Sequence, residues 1–334
     1  MSSRFRCLTV SQSRVLALTW LVGATAGAIT GAPAEAQPRP RPVQPAAPAW
    51  QTISLLGDTL RTLPLSATVR ARYEAQMQTA RGAYERTPSN VDSIIWYARR
   101  LGYLGQLRES IQIYTAGMAL YPDNPWLYRH RGHRYISVRD FDAAIRDLER
   151  ARQLTAGKPD EVEPDGQPNA QNTPIGTLQS NIGYHLALAY YLKGDFENAV
   201  RVARAEVAAA SNDDRRVSMA HWLHLSLRRL GRDAEAAQAV APMGRDLKVI
   251  ENENYHRLMG LYRGELSPDA LLKVNADGSM SVEDASSAYG IATWHWVNGR
   301  RPEAVALWRR MVVAGQWGAF GTIAAEADLA RLPR

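Results

Sequence analysis

Beyond residue 66, hydrophobic residues recur along the chain at intervals of three and four. Ile94, Tyr97, Ala98 and Leu101 form one such series, and similar series follow toward the C-terminus. This spacing places apolar side chains on one face of an α-helix. Short turns with Gly, Asp, Asn or Pro separate the series, and no segment after residue 66 alternates convincingly in the way that indicates a strand. The pattern therefore predicts an almost wholly α-helical chain.

The predicted helices come in pairs, because one type of turn followed by a helix start recurs five times. The five copies are Gly105–Ile111, Arg139–Ile145, Gly194–Val200, Gly231–Ala237 and Gly299–Val305. Each copy carries a small residue where two helices of a hairpin must approach closely. Ser110 and Ala144 are 34 residues apart, and Ala236 and Ala304 are 68 residues apart. A period of 34 residues is typical of a helix–turn–helix repeat.

On these residues the chain resembles the tetratricopeptide-repeat family over roughly residues 66–331. The first full repeat matches the family pattern at Ile94, Tyr97, Ala98, Leu101, Ser110, Tyr114 and Pro122. The second repeat departs from it, because Arg131 replaces the expected Leu and the closing Pro is missing. The resemblance implies an all-α fold, an α/α superhelical solenoid of helix hairpins with a C-terminal capping helix.

The repeat period divides the chain into predicted segments. They are a half repeat at 66–89, repeats at 90–123, 124–155, 178–212 and 214–248, a degenerate repeat at 249–273, a last repeat at 283–316 and a capping helix at 318–332. A long loop insertion rich in Pro, Gly, Asn, Asp and Glu fills residues 155–176. Residues 273–282 read as a turn or small hairpin, and Ser281 with Asp284 predicts a capping box for the next helix.

The N-terminus has the pattern of a signal peptide at 1–36. Three arginines precede an apolar run at Val15–Ile29, and Ala34-Glu35-Ala36 offers small residues at a cleavage site. We expect a protein that is exported to the periplasm or secreted. Five prolines follow between Gln37 and Pro48, so residues 37–65 read as a Pro-rich disordered linker. No second apolar stretch of spanning length follows, so we expect a protein that is not integral to the membrane.

Composition narrows the chemistry of the exported chain. Cys7 is the only cysteine and precedes the cleavage site, so disulfides and thiol chemistry are excluded from the mature protein. Loss of Arg4, Arg6, Arg14 and Glu35 lowers the formal net charge from +7 to +5. The remaining arginines are spread along the chain without a basic block, which argues against a nucleic-acid partner.

Two histidine pairs are candidate metal ligands, because residues three apart share a helix face. They are His130 with His133, and His221 with His224. Arginines flank the first pair, and His224 falls where the repeat packs its helices. We therefore interpret these as packing or surface histidines and expect no metal, no cofactor and no catalytic residue.

Two acidic loops come close to a calcium-binding pattern. One contains Asn275, Asp277, Gly278 and Asp284, but Lys273 occupies the first ligand position; the other contains Glu161, Glu163, Asp165, Gly166 and Asn172. Both are interpreted as solvated acidic loops, with calcium binding left open.

The resemblance also implies that the first helix of each repeat lines a concave groove. The side chains expected to face it are Trp96, Arg99, Tyr103, Trp126, Arg129, His130, His133, Tyr184, Tyr191, His221, Trp222, Arg228, Tyr289 and Trp296. Large aromatic residues and arginines are frequent at binding hot spots. The alternative for several of them is a place in the core. The family's carboxylate clamp for chaperone tails is missing, because it needs Lys and Asn where this chain has Ile95, Arg99, Arg129 and His130.

These observations favour an exported scaffold or adaptor that holds protein or peptide partners in a groove lined by aromatic residues and arginines. A glycan or cell-envelope polymer is the alternative ligand, with Trp and Tyr as stacking platforms. An enzyme is a distant third, since no catalytic motif is found.

Overall fold

The chain folds as an all-α solenoid of antiparallel helix hairpins preceded by a short β-hairpin. The computed structural model describes residues 49–275 and 278–333. The helices are α1 (Ala67–Arg86), α2 (Val91–Tyr103), α3 (Leu107–Leu120), α4 (Pro125–Ser137), α5 (Phe141–Thr155), α6 (Leu178–Lys193), α7 (Phe196–Ala209), α8 (Asp213–Arg229), α9 (Asp233–Val240), α10 (Glu253–Tyr262), α11 (Val282–Val297), α12 (Arg301–Val313) and α13 (Phe320–Ala330). None of the described helices combines the length and hydropathy that a membrane-spanning segment needs.

Each hairpin is held together where the sequence places a small residue on its second helix. Ser110, Ala144, Ala199, Ala236 and Ala304 are at most 1% exposed. Ser110 Oγ also donates a hydrogen bond of 2.7 Å to the carbonyl oxygen of Ala98 on the facing helix. Larger side chains at these positions would push the paired helices apart.

The turns inside the hairpins use a left-handed residue to end the first helix. Gly105 and Gly194 have φ angles of 74° and 89°, values that glycine adopts without steric strain. At the same place in the second full repeat stands Arg139, with φ 68°. Its guanidinium compensates for this conformation, because it is buried and forms an ion pair of 2.7 Å with Glu326 of α13.

Residues 50–61 form a β-hairpin where the sequence predicted part of a disordered linker. Strands β1 (Trp50–Ile53) and β2 (Thr59–Arg61) pair in antiparallel fashion. The hairpin also binds the solenoid, since Gln51 Oε1 accepts a hydrogen bond of 2.9 Å from the backbone N–H of Leu107. The amide of Leu55 donates one of 2.7 Å to Glu326. These distant partners supply the order that the local sequence lacks.

Helix α13 does more than cap the last repeat. It packs on α11 and α12 and also reaches α6. All eight residues from Gly321 to Asp328 are buried, so the helix is covered on every side. Its two buried acids have arginine partners, Glu326 with Arg139 and Asp328 with Arg229.

The remaining irregular segments lie between α9 and α11. The degenerate repeat consists of α10 followed by a 3-10 turn at Pro268–Ala270. Ser281 caps α11 by accepting a hydrogen bond of 3.0 Å from the amide of Asp284. The predicted turn near Gly278 is only partly visible, because Ala276 and Asp277 lie outside the described residues. The predicted signal peptide, its cleavage site and the first prolines lie outside them as well.

Candidate functional site

The first helices of the hairpins form the inner side of the solenoid, which we call the concave face. Helices α2, α4, α6, α8 and α11 contact one another in succession, whereas the second helices α3, α5 and α7 do not approach one another as closely. All predicted groove residues lie on these five helices. What covers them differs between the two halves of the solenoid.

In the first half, α2 and α4 bring arginines and aromatic rings together. Arg129 and His130 are buried, and Trp96, Arg99, Tyr103, Trp126 and His133 are partly buried. The guanidinium of Arg99 lies 4.5 Å from the centre of the Trp96 ring. The Trp126 ring stacks on His130 with 6.2 Å between ring centres. These side chains therefore form one continuous surface.

That surface is occupied by residues 156–177, the loop between α5 and α6, which we call the insertion. Glu163 is only 7% exposed although it stands in a loop. Its carboxylate lies 2.8 Å from Arg129 Nε and 3.9 Å from Arg99 Nη2. It also accepts a hydrogen bond of 2.8 Å from Asn181 Nδ2. Burial of this carboxylate is compensated because two guanidiniums and an amide surround it.

The concave face also binds the backbone of the insertion. Arg99 Nη1 donates a hydrogen bond of 2.9 Å to the carbonyl oxygen of Pro164. Arg100 Nη1 donates one of 2.9 Å to the carbonyl oxygen of Gly166. The first half of the concave face thus holds an extended acidic segment through its side chain and its carbonyl oxygens, which is how grooves bind peptides.

An open cavity of about 300 Å³ remains beside the insertion. Its walls are polar and include Arg99, Arg129, Asn181, Arg215 and Glu251. We call it the outer cavity. At the end of the solenoid, Trp96 and Arg100 line a second groove of about 560 Å³ between α1 and α2.

Arg129 also lies between the two histidines of the first predicted metal pair. Its Nη1 is 3.3 Å from His130 Nδ1 and 3.5 Å from His133 Nδ1. A cation at that position would meet the guanidinium charge. Burial and the neighbouring arginines hold the pKa of both histidines well below the ordinary value, so both rings are neutral at pH 7.

The second pair is engaged in packing. His224 Nδ1 lies 3.0 Å from the carbonyl oxygen of Ala236, and His221 Nδ1 lies 3.0 Å from the Tyr262 hydroxyl. Across residues 49–275 and 278–333, no three His, Cys, Asp or Glu side chains are grouped so that they would hold a metal ion.

In the second half, most predicted groove residues are in the core, which corrects the expectation of an open surface there. Tyr184 is 9% exposed, and Tyr191, His221, Trp222 and Tyr289 are at most 1% exposed. Two helices cover this half: α13 packs on α6 and α11, and α10 packs on α8, where Tyr255 and Tyr262 contact His221. Tyr289 Oη donates a hydrogen bond of 2.8 Å to Asp328 of α13 and lies 2.8 Å from Tyr191 Oη. Arg228 and Trp296 are partly buried at the edge.

The insertion does not arrange its acids around a common centre. Glu163 points to the arginines, whereas Asp165 Oδ1 accepts a hydrogen bond of 2.9 Å from the amide of Gln167. In the other acidic loop Asp277 lies outside the described residues, and the Asp284 carboxylate accepts a hydrogen bond of 2.9 Å from the Ser281 hydroxyl.

Sequence reasoning missed the residues that complete the site, namely Glu163, Asn181 and Arg215. The alternation of acids at Glu161, Glu163 and Asp165 by itself indicates only a solvated acidic loop. A usable signal was present, because an acidic insertion follows directly after two repeats that place Arg99 and Arg129 on the inner side.

A scan against known protein families finds no match, and no curated protein matches the sequence. Solved structures of tetratricopeptide-repeat proteins are similar in fold. YrrB, described as having an unusual peptide-binding site, is 13% identical to this chain with a TM-score of 0.40. The matched region covers 71% of this chain and 93% of YrrB. A tetratricopeptide-repeat protein from Parabacteroides merdae is 12% identical with a TM-score of 0.42, covering 72% of this chain and 86% of its own.

Proposed function

We propose that this protein is an exported binding protein that holds an acidic segment of a protein partner on the first half of its concave face. The observation that carries the proposal is the buried Glu163, held by Arg129, Arg99 and Asn181. The same arginines bind backbone carbonyl oxygens of the insertion. A partner segment with a suitably placed carboxylate would make the same contacts once the insertion moves aside.

Binding rather than catalysis fits this arrangement. Both histidines at the site are neutral, His130 is buried and His133 partly buried beside arginines, and their rings are already used in packing contacts. His133 lies with its ring centre 4.4 Å from that of His185 and 5.3 Å from that of Phe320. Such rings have little freedom to exchange protons with a substrate.

A glycan is the less favoured ligand, because both indoles are partly buried and each already has a charged or aromatic neighbour against its ring. Two guanidiniums, those of Arg99 and Arg100, lie 4.5 and 5.0 Å from the centre of the Trp96 ring. The Trp126 ring stacks on His130. A sugar that stacks on aromatic rings needs a free face, whereas an acidic peptide needs the guanidiniums themselves.

The proposal is tested with the insertion supplied as a separate peptide. A variant in which residues 159–174 are deleted should keep its helical circular dichroism, because loop shortening itself costs little and removal of the insertion opens Arg99 and Arg129 to water when Glu163 is lost. We expect it to bind a fluorescent peptide with the sequence of residues 158–168, measured by anisotropy. The full chain should bind the same peptide far more weakly, because its own insertion occupies the site.

Two substitutions localise that binding. Arg129→Ala in the deletion variant should weaken it by ~2 kcal/mol or more, as expected for a hot-spot arginine. Arg146→Ala, on the exposed side of α5, is the matched control and should leave it unchanged. Equal affinity of the full chain and the deletion variant would show that the peptide binds elsewhere.

Export is a separate part of the proposal. It rests on the charged start, the apolar run at Val15–Ile29 and Ala34-Glu35-Ala36. N-terminal sequencing of protein from the periplasm or medium should begin at or near Gln37. Recovery of only uncleaved chain from the cytosol would contradict it.

A further inference from the structure

Behind Glu163 lies a second, smaller cavity with an excess of positive charge. We call it the inner cavity; it has a volume of about 90 Å³. Its walls come from α2, α3, α4 and the insertion, and they consist of Arg99, Tyr103, Tyr114, Arg129, His130, His133, Arg134 and Glu163. Three guanidiniums therefore face a single carboxylate.

Arg134 is the cation that this carboxylate does not balance. Among the described residues no Asp or Glu lies within ion-pair distance of the Arg134 guanidinium. Its side chain contacts His133 instead, with 2.9 Å between Arg134 Nη2 and His133 Nδ1. Burial and the nearby Arg129 and Arg99 lower its pKa. Arg134 is partly buried, and a guanidinium with reduced access to water and no anionic partner favours a compensating negative charge beside it.

His130 adds an unused hydrogen-bond donor to the same cavity. The side chain is 4% exposed. Its Nδ1 lies 3.3 Å from Arg129 Nη1, which can only donate. The proton of the neutral ring is therefore on Nε2, and that nitrogen has no partner in the part of the chain that the structure describes.

We propose that the inner cavity binds a compact oxyanion of the size of phosphate, held by Arg134, Arg99 and Arg129 and by the Nε2–H of His130. The volume equals roughly that of three waters, at ~30 Å³ of liquid volume each. A doubly charged anion neutralises the two guanidinium charges that Glu163 leaves uncompensated. This site does not depend on the proposed partner segment, because it lies behind Glu163 while the insertion stays in place.

The two cavities adjoin, which decides what kinds of molecule can carry the anion. They share Arg99, Arg129 and Glu163 in their walls. An anionic head in the inner cavity can therefore extend a small polar group into the outer cavity. Inorganic phosphate and a small phosphate ester such as glycerol phosphate are the two forms to be compared.

The test uses the full chain and inorganic phosphate as the probe. At about 10 mM phosphate we expect Tm to rise by about 3–8 °C over chloride at equal ionic strength, which corresponds to a Kd of ~0.1–1 mM. Isothermal titration calorimetry should give one site per chain. A wild-type chain that shows no phosphate heat beyond chloride overturns the proposal.

The Arg134→Met variant separates this site from the general stabilising effect of phosphate on proteins. It should have a Tm in chloride equal to or above that of the wild type, because an uncompensated charge is removed, and should lose the phosphate-specific rise. Arg146→Gln, an exposed arginine on α5, should keep that rise. An equal phosphate response of Arg134→Met and the wild type overturns the site.

A second variant covers the case in which Arg134→Met does not fold. Arg99→Gln removes a partly exposed guanidinium from the edge of the same cavity. Its phosphate affinity should fall at least about tenfold, the effect of losing one charged hydrogen bond. An unchanged affinity overturns the site. If glycerol phosphate binds with similar affinity, the ligand is a phosphate ester whose remaining part lies in the outer cavity. If only inorganic phosphate binds, the ligand is the free anion.

Discussion

Trp96 and Trp222 occupy the same position of the repeat but differ in what covers them. Each stands fourteen residues before the small residue of its hairpin, Ser110 and Ala236 respectively. Trp96 is partly buried beneath two arginines, whereas Trp222 is 1% exposed and contacts Tyr191 and Tyr289. The repeat position places both side chains on the concave face. Segments that are distant in the sequence determine whether that face is solvent-accessible or buried in the core.

The two segments that cover the concave face have different characters. Helix α13 covers the second half with a continuous run of buried side chains, Gly321–Asp328. The insertion covers the first half with only Glu163 and Gly166 buried. Few buried contacts make a segment easy to displace locally. We therefore expect the insertion to open locally more readily than α13.

The largest expected effect comes from the matched tryptophans. Trp222→Ala should lower the free energy of unfolding by about 4 kcal/mol, because it removes a fully buried indole and leaves a cavity. Trp96→Ala should cost less than half as much, since water and flexible arginines can replace the ring. Urea unfolding monitored by circular dichroism measures both. Equal losses would mean that the two halves are equally closed.

Loss of the buried ion pair between Glu326 of α13 and Arg139 should lower the free energy of unfolding nearly as much. Glu326 accepts hydrogen bonds from Arg139 and from the Leu55 amide, so it links α13 to the second full repeat and the β-hairpin. Glu326→Gln should destabilise the protein by about 3 kcal/mol, because it leaves the Arg139 charge buried without its partner. Asp142→Asn, which breaks the exposed ion pair with Lys193, is the control and should change stability by less than about 0.5 kcal/mol. An equally small effect of Glu326→Gln would contradict the role of this contact.

Acid should destabilise the closed half through its buried histidines. Burial lowers the pKa of His221 to about 3 and that of His224 to about 4. The unfolded chain binds a proton at each below about pH 6.5, so their contribution to stability is complete above that pH and is lost as pH falls toward the folded pKa. We expect His224→Asn to reduce the stability loss between pH 7 and pH 5 by about 2 kcal/mol. An unchanged pH dependence would show that His224 titrates normally.

The smallest effect concerns Glu206 on α7. Burial raises its pKa to about 7 against the attraction of Arg215. The protonated carboxyl is favoured in the fold, so its contribution to stability is present below about pH 4.5 and is lost as pH rises through 7. Glu206→Gln should therefore stabilise the protein by ~1–2 kcal/mol at pH 8 and change little at pH 4. The same gain at both pH values would exclude titration as the cause.

Local sequence information was enough for the helices and their pairing. Periodic apolar residues such as Ile94, Ala98 and Leu101 indicate a helix whatever surrounds them, and the spacing of Ser110 and Ala144 gives the phase of the hairpins. The roles of Tyr191 and Tyr289 were not predictable in this way, because their burial depends on Asp328, whose position follows from tertiary packing.

The candidate site shows the same limit. Arg99 and Arg129 were expected on the concave face from the repeat alone. Their partner Glu163 was not identified, since an acidic residue in a loop reads as solvated unless its distant partner is known. The β-hairpin was missed for a similar reason: Gln51 and Leu55 are ordered by contacts with Leu107 and Glu326.

The central claim is that α13 closes the second half of the concave face more firmly than the insertion covers the first half. Native-state hydrogen exchange measured by mass spectrometry tests this claim most directly. We expect amides of residues 324–330 in α13 to exchange only with global unfolding. Amides of residues 159–174 should exchange at least about 100-fold faster, because a segment with few buried contacts opens locally. Exchange of α13 at the rate of the insertion, or protection of the insertion equal to that of α13, would contradict the account.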